Sequence, residues 1–236
     1  METPTDIDIY GGRNPLDMPL YSVAEASRYL HIAHSTVRYW SKGGPYSSKG
    51  KKGYFEPLIK ASGQGRLSLS FLNLVELDVL QKLRKVHKVS SETVRIGLLN
   101  AKKELGTERP LLSESLYTFG RHLFTDSEGN LIKLTNIEQA VLEGILRQVL
   151  ERVQRDEAKI PIKFYPTVDN APIDKPIVFD PEVSFGKPVL NGVGIRASMI
   201  IIRLTSGETV DDVARDYGID VDLVTSAAMY AHKSAA

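Results

Sequence analysis

The chain has 236 residues, 42% hydrophobic and 25% charged, the balance of a globular protein with one large core or two smaller ones. It contains no cysteine, so disulfides, thiolate metal centres and cysteine nucleophiles are excluded, and a reducing cytoplasm is the expected compartment. The net charge of +1 hides an uneven distribution. Between Thr36 and Arg66 seven Lys or Arg stand against one acid, whereas between Thr205 and Asp222 six acids stand against one Arg, which predicts different partners at the two ends. No apolar run reaches the roughly 18 residues of a membrane span, and no basic-plus-apolar leader opens the chain, so neither insertion nor secretion is expected.

Residues 1–20, with Gly11-Gly12 and several acids, read as a loose lead-in. The stretch SVAEASRYLHIAHSTVRYW, Ser22 to Trp40, then predicts two short helices around a tight turn. Ser22 is an N-cap with Glu25 at the capping-box spacing, and Val23, Ala26 and Leu30 share one helical face. The turn His31-Ile32-Ala33-His34 follows, and Ser35 is expected to cap the second helix, Thr36 to Trp40. Two capped helices around one apolar turn residue make a helix-turn-helix unit, though an ordinary core hairpin of helices has the same pattern.

Residues 41–66 are rich in Gly, Ser and Lys. Tyr54-Phe55 and Leu58-Ile59 are expected as short strand pieces, with Gly63-Gln64-Gly65 as a turn and Leu67-Ser68-Leu69 as the return strand. A basic loop between strands, directly after a recognition-type helix, predicts a wing that touches phosphate. From Ser70 the period is helical: Leu72, Val75, Val79, Leu80 and Leu83 form an apolar stripe, and Arg84, Lys85, His87 and Lys88 follow at its C-terminal end. Ser90 or Ser91 then caps a helix carrying Val94, Leu98, Ala101 and Leu105 and closed by Gly106.

Taken together, these four elements resemble the MerR-type winged helix-turn-helix domain, with its S-x-x-E-x-A-x-x-L helix, its S-T-x-R-Y-W recognition segment, a wing and two further helices. The resemblance covers about residues 20–105, and the long segment 41–66 implies an extended wing. On this reading Thr36, Arg38 and Tyr39 reach bases or phosphates, and Ser35 offers a backbone N–H to phosphate. Lys42, Lys49, Lys51, Lys52 and Arg66 hold flanking phosphates, and Trp40 anchors the helix to the wing.

Further on, Leu116–Phe119 and Leu131–Leu134 flank a turn and predict a β-hairpin within 115–135. Thr135 or Asn136 then caps a strongly amphipathic helix carrying Ile137, Val141, Leu142, Ile145, Leu146, Val149, Leu150 and Val153, either core or a dimer seam. Residues 158–178 hold Pro161, Pro166, Pro172 and Pro176 and read as an extended connector. The division expected is therefore 18–110 for the winged domain, 111–160 for a hairpin and a helix that is either core or a dimer seam, 161–176 for a Pro-rich linker, and 177–236 for a small helical partner-binding domain.

In that last segment Asp180-Pro181 leads to Phe185-Gly186-Lys187-Pro188-Val189, then Gly194-Ile195-Arg196, then three helices. The first runs Met199–Leu204 and closes at Gly207, the second starts at Thr209 and stops at Gly218, and the third runs from Asp220 to Ala231. This pattern resembles a helix-turn-helix-like family catalogued as a domain of unknown function, numbered 433. The departure is Val193-Gly194-Ile195-Arg196, where that family has G-T-R-I.

The fold class expected is mostly α with small β hairpins: an N-terminal winged helix-turn-helix plus a C-terminal helix-turn-helix-like three-helix domain. Chains joining these two domains resemble the antitoxins of VapBC-like toxin–antitoxin pairs. The resemblance implies an autorepressor that binds operator DNA and neutralises a PIN-type ribonuclease toxin, as a homodimer or within a larger hetero-oligomer. An RNA-binding toxin surface is basic, so Glu208, Asp211 and Asp212 in the acidic stretch are expected to meet it, with Arg196 or Arg203 reaching an acidic nuclease site. No enzyme, cofactor or metal is expected: His31 and His34 have ligand spacing but lack a third ligand, and the C-terminal acids lie where they cap helices. The alternatives are a stand-alone MerR-like regulator with a C-terminal sensing domain, and a DNA-bending protein of the excisionase kind.

Overall fold

The structure, a computed structural model, describes residues 14–48, 51–63, 67–84, 91–113, 144, 147–149 and 151–233. The fold is mostly α with small antiparallel strand pairs and a helix-turn-helix unit. No helix among the described residues is long and apolar enough to cross a membrane.

Two helices open the fold, α1 (Val23–Leu30) and α2 (His34–Lys42). The capping box at the start of α1 is formed as expected: Ser22 Oγ accepts from the Glu25 N–H at 3.2 Å, and the Glu25 carboxylate accepts from the Ser22 N–H at 2.9 Å. His31 ends α1 in the left-handed conformation, φ 54°, and Ile32 is buried in the turn. The second cap differs from expectation. Helix α2 starts two residues early, at His34, with Ala33 as its N-cap and no side-chain cap bond, so Ser35 lies inside the first turn.

Helix α3 (Phe71–Arg84) is the centre of the first core, and its burial is wider than the expected stripe: every residue from Phe71 to Leu80 is buried. Ser70 caps it, accepting from the Asn73 N–H at 3.2 Å while the Asn73 amide oxygen accepts from the Ser70 N–H at 3.1 Å. Val23, Ala26, Leu30, Val37 and Trp40 from the helix-turn-helix pack in the same cluster, as do Val94, Leu98 and Ala101 of α4 (Ser91–Leu105). Residues 85–90, which include Lys85, His87 and Lys88, lie outside the described residues.

The strands correct the expected wing. Strand β2 (Gly44–Ser48) pairs with β3 (Lys51–Phe55), so the hairpin begins immediately after α2, and Leu58 and Ile59 are not strand. None of the hairpin residues whose burial is described is buried, so no apolar alternation marks them and the period-2 signal fails there. Strand β4 (Ser68–Leu69) returns not to the wing but to β1 (Tyr21–Ser22), because Tyr21 and Leu69, cross-strand partners, are both fully buried in the core.

The hairpin expected at 115–135 lies outside the described residues, and the amphipathic helix beyond it is described only in part: Gly144, Arg147–Val149 and Glu151 are helical. Val153, expected in that helix, instead starts β5 (Val153–Arg155), which pairs with β6 (Pro161–Phe164). The proline-rich stretch is thus partly strand and closely packed. Phe164 is fully buried, exchanges backbone hydrogen bonds with Phe179 at 2.8 and 3.0 Å, and stacks on its ring at 5.8 Å.

Three helices carry the second core: α5 (Ala197–Thr205), α6 (Val210–Tyr217) and α7 (Val221–Lys233). Ile200, Val213, Val224 and Ala227 pack there against Ile177 and Leu190, which come from the pair β7 (Ile177–Val178) and β8 (Val189–Leu190). Thr209 caps α6 and Gly218, at φ 63°, closes it, both as expected from the sequence.

Candidate nucleic-acid interface and partner surface

Helix α2 buries Val37, Trp40 and Ser41 and turns Ser35 and Arg38 outward, with Lys42 one turn further along. The Thr36 and Val37 N–H groups bond the Ala33 carbonyl at 2.9 and 3.0 Å. The N–H groups of His34 and Ser35 precede them at the helix start, where an α-helix supplies no acceptor, so an anion is favoured there. Thr36 and Tyr39 are half-buried. Tyr39 packs edge-on against Phe55 at 5.8 Å, which makes it a joint between helix and hairpin as well as an expected DNA contact.

The hairpin is fastened to the C-terminus of α2. Gly43 turns the chain at φ 72°, and a Cβ there would stand 2.1 Å from the Phe55 carbonyl oxygen. The Tyr54 hydroxyl donates to the Lys42 carbonyl at 2.8 Å, satisfying one of the orphan acceptors at the helix end. Tyr46 stacks on Phe55 at 4.1 Å, and the guanidinium of Arg95 from α4 lies 5.2 Å from the centre of the same Phe55 ring while bonding the Glu56 carbonyl. The result is a short exposed ribbon held rigidly beside α2, with Lys42 and Lys52 exposed. The backbone of Lys51 pairs with Ser48; Lys49 and Arg66 lie outside the described residues.

Beneath this surface, α3 carries a buried polar network. Glu76, 3% exposed in its side chain, accepts from Arg109 at 2.7 Å and from the Asn73 amide at 2.9 Å, and Arg109 also reaches Asp17 at 2.5 Å. Burial pushes the Glu76 carboxyl up to about 7, against the opposing pull of the Arg109 charge and the Asn73 and Arg109 hydrogen bonds.

The C-terminal candidates separate into two groups. Arg203 is engaged within the chain: its Nε donates to the Glu208 carboxylate at 2.8 and 3.0 Å, its Nη1 to Asp216 at 2.6 Å, and it lies 5.1 Å over the Tyr217 ring. The Glu208 and Asp216 bonds raise Arg203 above its usual range, and the same Arg203 contact holds Glu208 below the usual carboxylate range. Asp212 is also held low, by the Thr209 hydroxyl first and by Arg215 second. These contacts tie α5 to α6. Asp211 and Arg196, by contrast, are exposed, Arg196 at the N-cap of α5. Among the described residues no group of three or more His, Asp or Glu is placed to hold a metal ion.

The two cores are joined through residues that sequence reasoning did not single out as contacts. The buried Tyr21 hydroxyl donates to the Gly186 carbonyl at 2.6 Å. Lys187 pairs with Glu25 at 2.6 Å, so the capping-box carboxylate of α1 also anchors the C-terminal segment. Burial raises the Glu25 carboxyl, but the hydrogen bonds from Lys187 and Ser22 outweigh it and hold it below the usual range. The Tyr230 hydroxyl donates to the Tyr29 carbonyl at 3.1 Å, and Phe179 meets Tyr21 and Tyr29 edge-on at 6.4 and 5.5 Å. The Gly186-Lys187 step of the C-terminal sequence pattern was the available signal, since a glycine with φ 70° whose Cβ would stand 2.4 Å from the Tyr21 hydroxyl admits no other residue comfortably.

Comparison with known proteins gives a separate family match in each part of the chain. Residues 19–97 match a family described as "Putative DNA-binding HTH domain", and residues 177–231 match one described as "Protein of unknown function (DUF433)". Along the chain, a Mycobacterium tuberculosis protein named "Putative antitoxin VapB45" is 28% identical over 230 residues, spanning 89% of this chain and 93% of that one. The crystal structure of Rv2018 from Mycobacterium tuberculosis superposes with a TM-score of 0.65 at 24% identity, over 90% of this chain and 98% of that one. The chain therefore has the fold of that crystal structure, and its residues 19–97 are similar to that helix-turn-helix family.

Proposed function

We propose that this protein is a cytoplasmic DNA-binding antitoxin of the VapBC type, which represses its own operon through a MerR-like winged helix-turn-helix and neutralises a PIN-type ribonuclease toxin. One observation carries the DNA half of this reading. The exposed face of α2, with Ser35, Arg38 and Lys42, continues into a lysine-bearing hairpin that Tyr54, Gly43 and the Tyr39–Phe55–Tyr46 cluster lock beside it. A helix lies in the major groove and the ribbon follows the adjacent backbone. Arg38 and Thr36 read bases, Tyr39 and the Ser35 N–H position the helix, and Lys42, Lys49, Lys51, Lys52 and Arg66 neutralise phosphates.

The toxin half is supported by the similarity to a protein named as an antitoxin and by the acidic C-terminal stretch. With Arg203 committed to Glu208 and Asp216, Arg196 is the arginine exposed to a toxin, and Asp211 and Asp212 lie on the exposed side of α6. The segment 111–160, expected from its sequence to carry an amphipathic helix, pairs two copies, so that two recognition helices meet two half-sites.

Purification of the tagged chain expressed from its native operon tests both halves. Recovery of a nuclease of the PIN type, and shift of DNA from the region upstream of the operon, are the expected results. Arg38→Ala lowers affinity for that DNA by about 1–3 kcal/mol, with little change on unrelated DNA. Absence of a co-purifying nuclease overturns the antitoxin half, and equal binding to any DNA overturns base reading by Arg38.

A further inference from the structure

We infer that the cleft between α1 and the α5–α7 pair is a docking site for an acidic segment of a partner protein that also carries apolar side chains. The cleft has a volume of about 480 Å³ and is lined by Arg28 of α1, by Lys187 and Arg196, and by Ile201, Ile202 and Tyr230. Among the described residues no carboxylate lines it. The Lys187 charge is answered by Glu25 at 2.6 Å. Arg28 and Arg196 are exposed, and among the described residues neither has an acid within ion-pair distance. Two arginines thus line the same opening as Ile201, Ile202 and Tyr230.

The apolar surface does not stop at the cleft. Ile202 is 58% and Met199 47% exposed, one turn apart on α5, so the apolar surface extends along the helix from Ile202 at the cleft to Met199. Each of the simpler occupants leaves part of this surface unsatisfied. A small anion pairs with the arginines but leaves Ile202 and Met199 in water, and a nucleic-acid backbone offers phosphate without apolar side chains to cover them. A peptide bearing Asp or Glu beside Leu, Ile or Phe satisfies both: its carboxylates take the planar donor forks of the arginines, and its apolar side chains cover the helix.

This inference goes beyond the toxin reading and does not rest on it, although Arg196 belongs to both. The acidic stretch 208–222 is assigned there to a basic surface, whereas the cleft has the opposite sign and requires the opposite chemistry. An occupant would also touch both units at once, since Arg28 belongs to the first helix of the helix-turn-helix and Arg196 to the start of α5.

A displayed library of random peptides, selected on the immobilised full-length protein, tests the assignment without needing toxin or operator. The expected result is enrichment of sequences with acidic residues next to large aliphatic or aromatic ones. Binding of those peptides should fall about tenfold or more on Arg28→Ala/Arg196→Ala, and likewise on Ile202→Glu. The Arg28→Gln/Arg196→Gln variant, which removes both charges but keeps a polar side chain and is checked by its melting curve, guards against a loss that comes from misfolding. Enrichment of neutral or basic peptides, enrichment that the arginine variants retain, or no enrichment at all would overturn the proposal. So would arginine-dependent sedimentation with phosphatidylserine vesicles in place of peptide binding. Because no toxin takes part, failure here leaves the antitoxin reading standing, and failure to recover a nuclease leaves the cleft untouched.

Discussion

Glu76 gives the structure a pH dependence that can be worked out in advance. Its carboxyl titrates at about 7 in the folded chain against an ordinary value of 4.5, because burial disfavours the charge more than Arg109 and Asn73 favour it. Between those values the folded chain holds a proton that the unfolded chain has released. The contribution is therefore fully present below about 4.5 and is lost as pH rises through about 7. At 1.36 kcal/mol per pK unit, ionising Glu76 in place costs about 3 kcal/mol. Glu76→Gln removes the titration while keeping an oxygen that can accept from Asn73 and Arg109. Urea unfolding of the two proteins should give stabilities that converge or favour the parent near about pH 5 and favour the variant by a further 2–3 kcal/mol or so near about pH 8. Arg109→Ala leaves the buried carboxylate uncompensated and should cost about 3–5 kcal/mol at the higher pH, and much less at the lower, where Glu76 is neutral. Parallel stability profiles for the parent and Glu76→Gln would refute the reasoning.

Two further results are expected from the contacts between and within the units. Gly186→Ala forces a left-handed alanine and displaces the Tyr21 hydroxyl from its 2.6 Å bond, a loss of about 2–5 kcal/mol in chemical denaturation, whereas Tyr21→Phe should cost about 1–3 kcal/mol because only the hydroxyl is lost. An unchanged midpoint for Gly186→Ala would show that the two cores are not joined through this contact. Arg203→Met cuts the ties to Glu208 and Asp216 and should raise hydrogen exchange in α6 (Val210–Tyr217) while leaving that of α3 (Phe71–Arg84) as it was; equal protection in both variants of α6 would count against a bracing role.

How much of this was legible in the sequence depends on whether the signal was local. The capping box at Ser22 and Glu25, the Thr209 cap and the Gly218 stop are set within a few residues, and they stand where the spacing put them. The wing was misplaced because none of its strand residues whose burial is described is buried, and what holds β2 to β3 is an aromatic cluster assembled from Tyr39, Tyr46 and Phe55 rather than an alternating core. Leu67–Leu69 carried a true strand signal, but its partner, Tyr21, stands on the far side of the helix-turn-helix, and strand partners distant in sequence leave no local mark. Arg203 looked like an available cation because Glu208 follows it by five residues and Asp216 by thirteen; only the close approach of α5 and α6 brings both onto its guanidinium. The cleft at Arg28 and Arg196 was illegible for the same reason, being made by the docking of one unit on the other.

The central claim is that α2 and the β2–β3 hairpin together form a DNA-reading surface in which the hairpin lysines meet phosphate. The most direct measurement is the affinity of the full chain for DNA from upstream of its operon across a series of salt concentrations, compared with Lys51→Ala/Lys52→Ala. The slope of log K against log salt should become shallower by about 1.8 in the double variant, the counterion release of two phosphate contacts. A slope that does not change would contradict that claim.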